Sequence, residues 1–442
     1  MSHLRIFSSQ ITPRLEYACH IIFKILWQIP YSIHISGQAS DFGSGLNIHY
    51  GDTDNTNSYQ IKPSGLVFRA DIQQVGVPLT WKSETPILFP NAQNCSLGFD
   101  IFSAVFFMAS RYEEYLSYIP DRYGRFPEVE SLSGRFDFTH LPVVHYWADL
   151  LKESLNGHFP NMEIRKRKPV AIFTYDIDVA YAFKGRSLGQ HLLSLSKDLV
   201  TGRSENLRQK LVTGFGILKD PSDTYKLLIN NNLEKIFFFL LAMNRTAFDR
   251  NISPENPNLK HLIRQLSQGK NQAGIHPSYF SSEKTYLIAK EKETLEEIIS
   301  QPVSASRQHY LRFRLPDTFR ALLHAGIQHD YSMQYPEMPG FRAGLCLPFP
   351  FFDVQTNQIT TLILHPGCIM ETTFRDDLNL SAHQTLEWYL SLWEQVKKVG
   401  GQFISIWHND TLKQHDSYMH PLNFRNIHQQ LIEIIKRDME AI

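Results

Sequence analysis

Residues 169–178 read PVAIFTYDID. A continuous apolar run, Val170 to Phe173, leads through Thr174 and Tyr175 into two acids that flank Ile177. A short apolar run bounded by turn residues predicts a strand buried on both faces. Side chains alternate along a strand, so Asp176 and Asp178 point the same way. Two carboxylates on one side raise the cost of ionising both, and a cation beside them removes that cost. One can then bind a metal while the other acts as a base. The competing reading is a pair of capping acids at a strand–helix turn.

The same design recurs downstream. KIFFFLLAMN (235–244), QAGIHPSY (272–279) and GQFISIWHND (401–410) are further apolar strands, two of them with polar tips. Helical spacing separates them: Leu259, Leu262, Ile263 and Leu266 in 257–269; Phe319, Leu322 and Leu323 in 316–326, with Gly326 as a stop; Ala382, Leu386, Leu390, Trp393 and Val396 in 381–398. The last helix carries Ile427, Leu431, Ile434 and Ile435. Alternating strands and helices predict an α/β fold with a parallel sheet, helices outside and chemistry at the carboxyl ends of the strands. The polar tips are Asp176, Asp178, His276, Arg307 and His408. They belong to different strand ends, which a closed or nearly closed barrel brings together.

The chain has 442 residues, more than one hydrophobic core usually serves. The basic, proline-ended segment IRKRKP (164–169) is a boundary. It predicts an N-terminal α+β domain over 1–165 and a barrel over 166–442. Forty-four basic residues balance 44 acidic ones, which gives no electrostatic footprint for nucleic acid. Cys19, Cys95, Cys346 and Cys368 lie far apart and form no CxxC pair. They predict neither a disulfide framework nor a zinc cluster, and they suit a reducing cytoplasm. The apolar stretch 17–30 is broken by His20, Lys24 and Gln28. It is too short and polar to span a bilayer, has no signal-peptide pattern, and reads as an amphipathic helix packed in a domain.

Each remaining tip has a bland alternative. His276 precedes Pro277, and a lone histidine is often only a hydrogen-bonded structural residue. Arg307, in SASRQHYLRF (304–313), can hold a carboxylate in a two-pronged bond or form a surface salt bridge. His408 suits proton donation, or is satisfied by Asn409 or Asp410.

Taken together, TYDID, the His-Pro strand end, the arginine-bearing strand and the apolar-x-His near the C-terminus resemble the ordered motifs of the polysaccharide deacetylase superfamily (nodulation-type deacetylase fold, carbohydrate esterase family 4). ITPRLEYACHIIFKIL, FDIFSAVFFMASRYEEYL, GRFP, GIHPSY, RQHYLRF and GFRAG are similar to a Bacteroidetes subgroup with an uncharacterised N-terminal domain. The resemblance implies a distorted (β/α)7 barrel that hydrolyses N-acetyl groups on an amino sugar or glycan with a divalent metal, zinc or similar. It implies Asp176 as general base, Asp178 and His276 as metal ligands, Arg307 as the residue steadying the base, and His408 as the acid to the leaving amine.

The family's metal motif is HxxxHP, and the position four before His276 is Gln272. An amide oxygen there suits cations harder than zinc. His309, His365 in LILHPGC or a water are the other candidates for that place. The alternative function is a catalytically degenerate deacetylase fold that binds glycan or a protein partner; a deacylase for a small sugar precursor is a third. Three segments stay open: 184–222 as lid or decoration, FRAG (341–344) with FPFFD (349–353) as sugar groove or rim packing, and DRYGRF (121–126) as a tight turn or a contact with the barrel.

Overall fold

The computed structural model describes residues 3–36, 45–51, 59–91, 95–159, 164, 167–185, 219–229, 233–413 and 422–441. Most of the link at 184–222 therefore lies outside the described residues. The chain is a mixed α/β protein built on two parallel sheets and a small hairpin.

The first sheet contains β1 (Leu4–Ser8), β2 (Tyr31–Ile35), β3 (Leu46–Tyr50) and β4 (Tyr59–Ile61) in the order β2-β1-β3-β4, all parallel. The stretch expected as an amphipathic helix links β1 to β2. It forms the helix Pro13–Cys19, capped by Thr12, and continues as a wider π-type turn through Leu26. The hairpin pairs β5 (Leu79–Lys82) with β6 (Thr85–Leu88).

The second sheet has nine strands. They are β7 (Val170–Ile177), β8 (Glu234–Phe239), β9 (Gln272–Ile275), β10 (Ala305–Ser306), β11 (His329–Asp330), β12 (Phe349–Asp353), β13 (Gln358–Leu364), β14 (Ile369–Met370) and β15 (Gln402–His408). Their order is β12-β13-β11-β10-β9-β8-β7-β15-β14. All pairs are parallel except β12 with β13. The expected barrel is not closed: among the described residues, edge strands β12 and β14 do not pair. One edge is an antiparallel hairpin arm and the other is two residues long, so neither offers a matching ladder for closure.

Alternation along the strands separates two faces. Phe173, Tyr175, Phe237, Phe239, Phe403 and Trp407 join the helix-covered core. Ile172, Ile236, Phe238, Ala305 and Ile404 form a separate small cluster on the other face, with Tyr331. Asp176 follows Ile172 in steps of two, and His408 follows Ile404 likewise, so both catalytic candidates emerge on that inner face. Trp407, one residue earlier, faces outward and stacks on Tyr389 at 5.0 Å.

The helices follow their apolar spacing, with one shift. Pro257–Leu266 buries Leu259, Leu262, Ile263 and Leu266. Asp317–His324 buries Phe319 and Leu322, leaves the expected Leu323 half-buried, and is followed by Gly326 with φ +74°. Ala382–Val399 buries Thr385, Tyr389, Leu392, Trp393 and Val396, while the expected Leu386 and Leu390 are half-buried. Tyr389 displaces that stripe because its ring stacks on Trp407. Among the described residues, no helix is long and apolar enough to cross a membrane.

Residues before and after 165 share one apolar core. Tyr17 and Phe106 pack on Phe352 of β12, with ring centroids 4.9 and 5.2 Å apart, and Tyr17 donates to the Pro350 carbonyl at 2.8 Å. FPFFD is thus a buried strand against helices of the N-terminal segment rather than a sugar groove. FRAG is buried too: Arg342 makes a two-pronged bond to Glu114, at 2.9 and 2.6 Å. Arg111 reaches the same carboxylate at 2.7 Å. Burying such charges is tolerable only because each is paired.

Candidate active site

The parallel ladder places Asp176, Phe238 and Gly274 at one level, so Asp178 and His276 emerge together just beyond the strand ends. His276 Nε2 lies 3.2 Å from Asp178 Oδ1, and His309 Nε2 lies 3.3 Å from Asp178 Oδ2. One ligand-capable atom from each of these three residues falls within 4.8 Å of the others. Each imidazole is oriented from behind. His276 Nδ1 meets the Arg307 carbonyl at 2.5 Å, and His309 Nδ1 meets Asp249 Oδ1 at 3.0 Å. Asp249 is itself fixed by the Tyr279 amide at 2.9 Å and the Thr246 hydroxyl at 3.0 Å.

Electrostatics couple the three. Burial acts to raise the Asp178 pKa, but facing His309 and His276 hold the carboxyl well below the usual range. Burial acts to lower that of His309, yet Asp178 and Asp249 bring it up to about 9. This donor set fits a divalent cation. Asp178 Oδ1 is buried and accepts no hydrogen bond, both Nδ1 atoms are occupied, and both Nε2 atoms converge on the carboxylate. Two imidazoles and one carboxylate with carbonyl or carboxylate partners behind them form a familiar ligand arrangement.

Asp176 stands beside this cluster, its Oδ2 3.7 Å from His276 Nε2. Arg307 Nη1 donates to Asp176 Oδ1 at 2.8 Å, and Nε donates to the Tyr331 carbonyl at 3.0 Å. The guanidinium lies 4.5 Å over the Phe238 ring. Arg307 is fully buried, so the surface salt bridge foreseen as its alternative does not occur. On the other flank, His408 Nε2 lies 3.6 Å from Asp178 Oδ2. Its Nδ1 and backbone N–H both meet Glu371 Oε1, at 2.9 and 2.8 Å, and Thr411 donates to the same oxygen at 2.7 Å. Burial pushes the His408 pKa down, but Glu371, Asp178 and Asp176 together raise it to about 10. A cavity of about 310 Å³ opens over Asp176, Asp178, His276, His309 and His408.

The structure therefore brings together five of the six residues singled out as a site. Gln272 stays apart. It is exposed at the start of β9, level with Thr174 and Ile236, four strand residues from His276. At about 3.3 Å per residue that is about 13 Å, too far to share an ion. Spacing of four brings two side chains together on a helix turn, and here it falls on a strand. His365 is also remote from the cluster: it bonds His329 at 3.0 Å and stacks on Tyr331 at 4.2 Å. His309 takes the open place. Its signal was available, since it follows Arg307 by two residues at a strand tip. Glu371 and Asp249 carry no comparable local signal.

Residues 4–160 match DUF7033, a family of unknown function. No curated protein matches the sequence. Solved structures similar at low identity include three named as deacetylases. The carbohydrate deacetylase Agd3 gives a TM-score of 0.37 at 8% identity, over 99% of this chain and 84% of that one. A protein of Mycobacterium smegmatis assigned as a polysaccharide deacetylase gives 0.36 at 11%, over 64% and 93%. A polysaccharide deacetylase from Bacillus cereus gives 0.28 at 11%, over 62% and 89%. At such TM-scores the likeness carries no functional conclusion.

Proposed function

We propose that this chain is a metal-dependent hydrolase that removes N-acetyl groups from an amino sugar or glycan. The observation that carries the reading is the convergence of Asp178, His276 and His309 on one point, with a carboxylate held by Arg307 on one side and His408 held by Glu371 on the other. A divalent cation held by those three residues supplies Lewis acidity, acidifying water and polarising an amide carbonyl.

The remaining roles belong to the side chains. Asp176 accepts a proton from the attacking water, and Arg307 keeps that carboxylate turned into the cleft. Oxygen adds to the acyl carbon and the C–N bond then breaks. His408, held protonated by Glu371, gives its Nε2 proton to the departing nitrogen, so amine and acetate leave. The free thiols of Cys19, Cys95, Cys346 and Cys368 favour a reducing, cytoplasmic setting.

The test is metal content of protein purified without added ions, joined to acetate release from N-acetylated oligosaccharides with zinc, cobalt, nickel, manganese or iron. About one ion per chain, lost in His309→Ala together with activity, is the expected result. No stoichiometric metal and no acetate with any ion would leave the recognition-only alternative in its place.

A further inference from the structure

One wall of the cleft comes from the N-terminal segment. Residues 121–126, DRYGRF, form a tight turn: Asp121 Oδ1 accepts the amides of Tyr123 and Arg125 at 2.9 and 2.8 Å, and Gly124 has φ +75°. That φ suits glycine because it has no Cβ to clash. The same turn is also a contact with the second sheet's loops. Arg125 Nη1 donates to the Tyr310 carbonyl at 2.8 Å, and Arg312 Nε donates to the Tyr123 carbonyl at 2.7 Å. Tyr310 and Leu311 have φ +62° and +50°, two consecutive non-glycine residues in the left-handed region. Such backbone persists only when its surroundings hold it. The brace therefore ends on the residue next to His309.

The turn presents an aromatic and basic surface to the cavity. Tyr123 lies 5.1 Å from the Tyr310 ring and 6.5 Å from Phe248, which stacks on Tyr279 at 3.8 Å. Arg122 is exposed on the cavity, its guanidinium 4.8 Å over Tyr123. Arg250 is exposed on the same cavity, and its Nε donates to the Ala247 carbonyl. Among the described residues, neither guanidinium has a carboxylate at ion-pair distance, whereas Arg125 is tied to Asp121 and Arg375 to Asp376. Asp377 and Asp410 also line the cavity, and burial raises the pKa of both carboxyls above the ordinary value.

We propose that this turn is a specificity-determining subsite for an acidic glycan. Tyr123 and Phe248 meet the sugar next to the one that carries the N-acetyl group, and Arg122 and Arg250 hold its anionic substituent. The inference rests on the deacetylase reading above and deepens it by naming the substrate class. Guanidinium forks match a uronate carboxylate and a sulfate ester alike. A neutral chitin-type chain leaves both arginines without an anionic acceptor.

Calorimetric titration of the full chain carrying Asp176→Asn, so that nothing turns over, tests this with three probes: hyaluronan tetrasaccharide, 6-O-sulfated chitotetraose and neutral chitotetraose. At least one anionic probe binds about tenfold or more tightly than the neutral one, and which of the two does so identifies the group. Adding Arg122→Gln or Arg250→Gln reduces that preference severalfold and leaves neutral binding unchanged. Arg122 is exposed and makes no hydrogen bond among the described residues, so its loss removes only an exposed ring contact and shifts the unfolding midpoint little. Equal binding of all three probes, or a preference that survives both substitutions, overturns the subsite and leaves the deacetylase reading standing. No binding of any probe by a chain that also lacks metal overturns both.

Discussion

Gly274→Ala tests how the sheet delivers Arg307 to Asp176. Gly274 pairs with Phe238 across β8 and β9, and its bare backbone makes room for that ring. A Cβ at 274 would stand 2.6 Å from a Phe238 ring carbon and 2.9 Å from the Ala305 carbonyl oxygen. The ring is fully buried and the carbonyl is backbone of the neighbouring strand, so neither retreats freely. Overpacking of this kind costs about 1–3 kcal/mol. Displacement of Phe238 passes to the guanidinium 4.5 Å above it, and from there to the 2.8 Å pair with Asp176. Misplacing a catalytic group by about 1 Å costs on the order of a hundredfold in rate. We expect a drop of that size in acetate release and a urea-unfolding free energy lower by the stated amount. A Gly274→Ala protein with wild-type stability and activity would refute the coupling between this packing and the base.

Three further outcomes follow from the same geometry. Asp249→Asn weakens the carboxylate behind His309 and lowers metal affinity by about 10- to 100-fold, read by competition with a chelating dye. Glu371→Gln removes the charge that raises the His408 pKa. Since the acid must be protonated, activity falls as pH rises through that pKa, and the alkaline limb of the pH–rate profile moves to lower pH. Glu291 is buried, its Oε2 accepts the Ser278 amide at 2.9 Å, and burial pushes its pKa from 4.5 up to about 7. A raised carboxyl favours the folded state below its unfolded value and loses that contribution as pH climbs to about 7, here roughly 3 kcal/mol. Glu291→Gln removes this share of the pH dependence, and chemical denaturation at pH 4.5 and 8 that shows the same slope in both proteins would disprove it.

Much of this was legible in the chain itself. The i, i+2 spacing of Asp176 and Asp178, the His276-Pro277 strand end and the alternation before His408 fix which side each residue faces, because strand alternation and helix periodicity are local properties. Parallel strands with external helices follow from the same patterns. Strand order is not local. It takes the sequence β11-β10-β9-β8-β7-β15 to seat His309 and His408 on opposite sides of Asp178, and no spacing along the chain encodes those neighbours. Extended backbone at 272–275 removed Gln272 from the site, since four residues span one helical turn or about 13 Å of strand. Asp249 comes from a loop, Glu371 from the start of the helix Glu371–Asp376, and the Arg122 turn from the N-terminal segment. Only folding brings them to the cleft, because their partners lie 60, 37 and 185 residues away in the chain.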